Sequence, residues 1–249
     1  MHSDRTRPPG IAWILAGLLV CLPSSACADW VAGAFLGHAW TRPSTVALAL
    51  PDRQTAVEID GVEYRGESFA SPQYYGYRIT WIPDTRRWMG IEVEVIHAKV
   101  FAQADRVVRL RGTLRGAAVD ASLPLSSSVQ RLAMSHGLNF IFANVALRRE
   151  LGPVDAQGTR RFVAVVRAGA GPTVPHAEST VDHVNREQYE TGGLGVQAAA
   201  GLEVTVWRGL GVLGEYKFTG ATPQIEVAGG QATVPVRSHH LVGGLAYHF

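Results

Sequence analysis

Past Asp29 the chain repeatedly enters runs that alternate apolar and polar side chains with a period of two. The clearest window puts Leu194, Val196, Ala198, Ala200, Leu202 and Val204 on one face, and Gly195, Gln197, Ala199, Gly201 and Glu203 on the other. That period belongs to a strand, and no window holds a helical period well. FVAVVRAGAG, GLGVLGEYKFTG, YYGYRITWI and WMGIEVEVIHAK behave alike. Eight such runs can be drawn, at about 30–41, 73–82, 88–99, 137–149, 161–172, 189–206, 209–219 and 238–249. Long spacers (42–72, 100–136, 173–188, 220–237) follow the odd-numbered runs, and short ones follow the even-numbered runs. Short turns at one end and long loops at the other predict an all-β protein. Its form is an eight-stranded antiparallel up-and-down transmembrane β-barrel with short periplasmic turns and long extracellular loops.

The polar face decides between this barrel and a soluble one. It carries Arg78, Glu92, Glu94, Arg167, Glu203, Glu215 and Lys217 in mid-strand. An Arg or Lys facing lipid at the bilayer midplane costs about 2–4 kcal/mol, so these groups are expected inside, paired across a filled interior. A lipocalin-like soluble barrel is the rival reading, and it requires the charged face to be the core. Aromatics fall in two sets one strand length apart. Trp30, Trp81, Trp88, Trp207, Tyr247 and Phe249 lie toward the short turns; Trp40, Tyr75, Tyr77, Phe101, Tyr189 and Phe218 lie toward the long loops. Two aromatic belts are what two membrane interfaces demand. The terminal Phe249 is expected to face lipid at the periplasmic rim and to serve the barrel-assembly machinery.

The first 28 residues read as a secretory leader. MHSDRTRPPG is basic, IAWILAGLLVCLP is apolar, and Ala26-Cys27-Ala28 is a small-x-small cleavage site. The apolar run is shorter than the roughly 20 residues of a membrane-spanning helix. Cleavage after Ala28 would leave a single barrel domain, 29–249. Both cysteines, Cys21 and Cys27, leave with the leader, which excludes thiol chemistry from the mature chain. The same cut leaves 21 basic against 20 acidic residues, so there is no global drive toward nucleic acid.

Seven of the eight remaining histidines map to the extracellular half: His38, His97, His136, His176, His183, His239 and His240. Outward Phe249, Tyr247 and Leu245 make His240 inward, toward the barrel mouth, together with Glu215 and Lys217. His97 falls on the lipid-facing parity unless a bulge near Ile96 reverses it. Imidazole with carboxylate at a barrel mouth can bind a divalent metal or move protons, while isolated rim histidines are solvated. The second long spacer adds Arg106, Arg109, Arg111, Arg115 and Arg131, whose guanidinium forks match the phosphates of an outer leaflet.

The stretches PQYYGYRITWI, GIEVEVIHAKVFA, SHGLNFIFANVALR, RAGAGPTVPHAE, GEYKFTG and SHHLVGGLAYHF, in that order, resemble the outer-membrane lipid A oxidase family of Gram-negative bacteria. The resemblance covers about residues 30–249. It implies oxidation of the proximal glucosamine of lipid A to an aminogluconate unit, with dioxygen as co-substrate and a divalent metal ion. On matching positions it carries over Glu94, His97, Lys99, His136, Asn139, His176, Glu178, Glu215, Lys217, His239 and His240 as candidates without fixing their roles. Side-chain chemistry then suggests His136, His176, Glu178 and His240 as a metal set and Glu94, His97, Glu215 and Asn139 as catalytic groups. By their charge, Lys99, Lys217 and His239, together with Arg106, Arg109 and Arg111 of the second long spacer, are the groups expected to hold lipid A or lipopolysaccharide. The sequence carries no nucleotide, flavin or haem motif. Two alternatives stay open: a non-enzymatic barrel for envelope integrity or surface adhesion, and a lipid A deacylase. A deacylase needs a Ser–His–acid set. Ser135 beside His136 is the one suggestive pair, and neighbours on a regular strand point to opposite faces.

Overall fold

The computed structural model describes residues 28–154 and 160–249, so the expected leader, but for its last residue Ala28, lies outside the described residues. The strands, in chain order, are β1 (Ala28–Thr41), β2 (Ser44–Leu50), β3 (Thr55–Val62), β4 (Tyr64–Arg65), β5 (Tyr75–Pro83), β6 (Met89–Ala102), β7 (Val107–Leu114) and β8 (Ala117–Pro124). They continue with β9 (Val129–Val154), β10 (Arg160–Val181), β11 (Val184–Tyr189), β12 (Leu194–Trp207), β13 (Leu210–Ala221), β14 (Gln224–Val227), β15 (Gly230–Thr233) and β16 (Val236–His248).

Eight of them close a barrel in the order β1-β5-β6-β9-β10-β12-β13-β16, each antiparallel to its neighbours, with β16 returning to β1. Closure removes both sheet edges, which is the condition for a sheet to stand in hydrocarbon. The chain ends meet at the short-turn end, where Trp30 and Phe249 exchange backbone hydrogen bonds of 3.1 and 3.0 Å. Outside, the wall presents Ile79, Ile91, Val93, Val145, Val166, Val212, Leu241 and Leu245, all exposed. Exposed Trp30, Trp81, Trp88, Trp207, Tyr247 and Phe249 ring one end, and Trp40, Tyr77 and Tyr189 ring the other. An apolar band between aromatic girdles on a closed antiparallel barrel is the outer-membrane architecture, and this chain is an outer-membrane barrel.

The charged face is buried. Arg78, Arg167 and Lys217 meet Glu92, Glu94 and Glu215 at the barrel waist, three cations against three carboxylates. Lys217 Nζ lies 2.5 Å from Glu94 and 2.6 Å from Glu215, and Arg78 Nη1 lies 3.2 Å from both. Thr80 and Asn144 donate to the remaining lone pairs of Glu92 at 2.8 and 2.9 Å. Above this layer the interior turns apolar, with Phe35, Ile96, Leu138, Phe140 and Phe142 buried. Lys217 Nζ stands 4.7 Å from the centre of the Phe35 ring.

The expected long loops are not loops. Strands β14-β15-β2-β3-β7-β8 form a second, six-stranded sheet at the extracellular end. Its buried side chains, Val46, Leu48, Leu50, Val57, Ile59, Val108, Leu110 and Ile225, belong to one apolar core with the top of the barrel. Their alternation was present in VALAL, AVEI and VVRL. It is too short to distinguish a strand from an ordered loop without partners. Phe101 is reassigned as well: it is buried between the guanidinium groups of Arg65 on β4 and Arg131 on β9 and is not part of the belt.

Hairpin tips are clasped by Asp182, which pairs with Arg53 at 3.0 Å and also with Arg115. Partial burial pushes its carboxyl up, but the hydrogen bonds and charges of Arg115 and Arg53 outweigh that and hold it below the usual range. A depressed carboxylate stabilises the fold above its unfolded pKa and loses that contribution as pH falls through the folded one. Amide exchange at the β2–β3, β7–β8 and β10–β11 tips is therefore expected to accelerate below about pH 4. Asp182→Asn should remove that pH dependence. At the waist, Lys217→Met should lower stability by about 3–5 kcal/mol by stranding buried carboxylates. Urea unfolding in detergent micelles, read by gel mobility, measures it, and adding Glu94→Gln should recover part of the loss.

Candidate active site

On β10 the odd residues from Val163 to Val181 point into the interior, which puts His176 and Glu178 on the outward face with Phe162 and Val166. Beside them β9 departs from regular pairing. Leu138 pairs with Ala98 of β6 and Pro175 of β10, and the next paired residue, Met134, faces Val100 and Ala177. Three residues of β9, Ser135, His136 and Gly137, thus occupy a rung where β6 spends only Lys99 and β10 only His176. Bulges of this kind re-aim side chains.

The result is a convergent cluster. His136 Nδ1 lies 3.2 Å from His176 Nδ1, 3.5 Å from Glu178 Oε1 and 3.2 Å from Ser135 Oγ. Ser135 donates to the same Glu178 oxygen, and Arg131 bonds the other one at 2.6 Å. His176 is buried, whereas the His136 side chain is 55% exposed and opens the cluster to the outside. From β11, Glu187 reaches the opposite nitrogen of His176, Nε2, at 3.4 Å. Tyr189, exposed, packs on the His176 ring with centroids 4.2 Å apart. Burial pushes the Glu178 carboxyl up, but hydrogen bonds from Ser135 and Arg131, with the charges of Arg131 and His136, bring it below the usual carboxylate range. Glu178 is an anion at neutral pH.

The donor set fits a divalent ion. Metal–ligand bonds of about 2.0–2.2 Å place neighbouring donors roughly 3.0–3.5 Å apart. His136 Nδ1 has that spacing to both His176 Nδ1 and Glu178 Oε1. Donor atoms of these three and Glu187 all lie within 4.8 Å of one another. With Nδ1 of His176 turned to the centre, Glu187 on Nε2 stands where a carboxylate orients a ligating imidazole.

His240 is not among them. It points inward on β16, three strands from β10 around the barrel, fully buried, with Nε2 at 2.8 Å from Thr219 Oγ1. The barrel wall stands between it and His176. Glu187 was the residue sequence reasoning missed. It lies in a spacer, and only the β10–β11 register, which pairs Glu187 with Glu178, brings it in. Glu94, Glu215 and Lys217 are consumed by the waist, and Lys99 donates to the carbonyls of Ala70 and Ser71 at 3.3 and 3.1 Å. Arg106, Arg109 and Arg111 pair with Glu63, Asp120 and Asp60 near or on the outer sheet, away from the cluster. His239 faces out on β16 against Tyr216 and Phe218. His97 needed no bulge near Ile96. It keeps the outward parity, covered by Tyr75, with Nδ1 at 2.9 Å from Asn139 Oδ1. The expected opposition of Ser135 and His136 fails, because the bulge turns both to one centre.

A serine triad nevertheless does not result. It requires the acid on the histidine nitrogen opposite the serine. Here Ser135, Glu178 and His176 all crowd the Nδ1 atom of His136, and among the described residues no acid reaches its Nε2. One divalent ion per chain is expected to bind the purified barrel, as counted by cobalt(II) titration in detergent. His176→Ala should abolish this binding, and His240→Ala should leave it intact.

No protein-family model matches the chain, and no curated protein matches it. Among solved structures it is similar to Neisserial surface protein A, at 11% identity over 90% of this chain and 100% of that one, with a TM-score of 0.43. It is similar to Ail, the attachment invasion locus protein of Yersinia pestis, at 10% identity over 90% and 100%, with a TM-score of 0.37. Against the outer membrane protein OprG from Pseudomonas aeruginosa the identity is 10% over 90% and 96%, with a TM-score of 0.44.

Proposed function

We propose that this chain is an outer-membrane enzyme that oxidises the proximal glucosamine of lipid A to an aminogluconate unit with dioxygen. The observation that carries the reading is the meeting of two imidazole nitrogens and one carboxylate on the outward wall, at the height of the upper aromatic belt. Two histidines and one carboxylate are the donor set that suits iron(II) and dioxygen chemistry. A lipid of the outer leaflet would reach this wall by lateral diffusion, its acyl chains along Val145, Ile141 and Val166 and its sugar at His136. The sequence resemblance supplies the reaction class.

The chemistry balances with dioxygen as the acceptor. The anomeric carbon of a free hemiacetal loses its hydrogen, the anomeric hydroxyl loses its proton, and two electrons leave with them. Dioxygen takes both electrons and both protons and becomes hydrogen peroxide. Water then opens the resulting lactone to the acid, a net gain of one oxygen atom. When bound, a divalent ion held by His136, His176 and Glu178 would supply a common seat for oxygen and sugar. Glu187 orients His176, Arg131 keeps Glu178 ionised, and Tyr189 shields the buried side of the cluster from water.

Mass spectrometry of lipid A from cells carrying the intact chain should show that gain of one oxygen. His136→Ala, His176→Ala and Glu178→Gln should each abolish it, while Ser135→Ala retains it. An unaltered lipid A supports a structural or adhesive barrel, and loss of an acyl chain that disappears in Ser135→Ala supports a deacylase. Either result overturns the oxidase reading.

A further inference from the structure

Gly137 closes the bulge with a φ of +111°. A Cβ placed there would stand 2.4 Å from Cε1 and Nδ1 of His97 and 2.8 Å from Oδ1 of Asn139. Neither side chain is free to yield. The His97 ring is buried and stacks on Tyr75 at 4.8 Å with the planes 8° apart. Asn139 donates its amide to the Val174 carbonyl at 3.0 Å, which leaves Oδ1 to accept from His97 Nδ1 at 2.9 Å. The donor order fixes the tautomer: Nδ1 carries the hydrogen, and Nε2 is the bare nitrogen, buried and unpartnered.

His97, Asn139 and the β10 backbone thus form a rigid bed directly beneath Gly137. The peptide that follows His136 lies on it, and the direction of His136 Nδ1 depends on where that peptide lies. We infer that His97 and Asn139 are positioning residues. They seat Gly137 so that His136 faces His176 and Glu178, and they do not themselves touch substrate. Glycine is required at 137 twice over, by a backbone conformation that L side chains rarely adopt and by the absence of room for a Cβ. This inference rests on the ion-binding reading of the cluster.

The test is cobalt(II) binding to the full-length barrel in detergent, with the visible absorption band reporting ligand geometry and heat-modifiable gel mobility reporting the fold. In Gly137→Ala the affinity should fall about 10–100-fold, the range for groups that orient a ligand, and the band should shift while the barrel stays folded. Adding His97→Ala removes the ring that a Cβ would strike and should restore part of the affinity. Should Gly137→Ala fail to fold, Asn139→Ala introduces no bulk and should still weaken binding and broaden the band. If the intact chain binds cobalt and Gly137→Ala and Asn139→Ala bind it equally well with an unchanged band, the positioning role is overturned and the ion site stands. If the intact chain binds no cobalt, both are overturned.

Discussion

Three carboxylates and three cations at the barrel waist make the rest of the structure workable. Hydrocarbon offers neither hydrogen bonds nor dielectric, so a charge on the lipid face is costly and a lone charge inside is costlier still. Glu92, Glu94 and Glu215 answer Arg78, Arg167 and Lys217 charge for charge, and Thr80 and Asn144 satisfy leftover lone pairs. Because that layer is neutral and filled, the outer wall can be wholly aliphatic between its girdles. A filled waist also denies a diffusion channel, and any activity must lie on a rim or on the wall.

The wall is where the unusual feature sits. Two extra residues in β9 between Met134 and Leu138 break the alternation at the height where hydrocarbon gives way to headgroups. Regular pairing would send Ser135 and His136 to opposite faces. The bulge sends both toward His176 and Glu178, and β11 brings Glu187 behind. A mouth-facing site would draw ligands from the medium, whereas a wall-facing site would draw them from the leaflet. That difference is why the proposed substrate is a lipid headgroup.

Much of this was legible in the sequence. Period-two alternation located all eight barrel strands, and the side on which Arg78, Glu94 and Glu215 fell located the interior. His136, His176 and Glu178 were identifiable as one group by donor chemistry among the positions that the resemblance marked. His240 was misplaced into it, because strand parity says which face a residue occupies but not how far around the barrel it lies. Glu94, Glu215 and Lys217 looked functional for the same reason that makes them structural: charges in mid-strand need partners. The extracellular sheet escaped notice since its strands are short and bury few side chains, from none on β8 to four on β3.

The sequence by itself determined the class of fold, the inside and the outside, and the end at which the chain closes. Those follow from side-chain period and from the free energy of placing charge in hydrocarbon, which are local properties. The tertiary structure decided that the spacers fold into a sheet, that Glu187 stands behind His176, and that His97 beds Gly137 rather than facing lipid. These depend on register between strands distant in the chain. Register is settled by which bulge and which partner close the hydrogen-bond ladder together, a choice no single strand can encode.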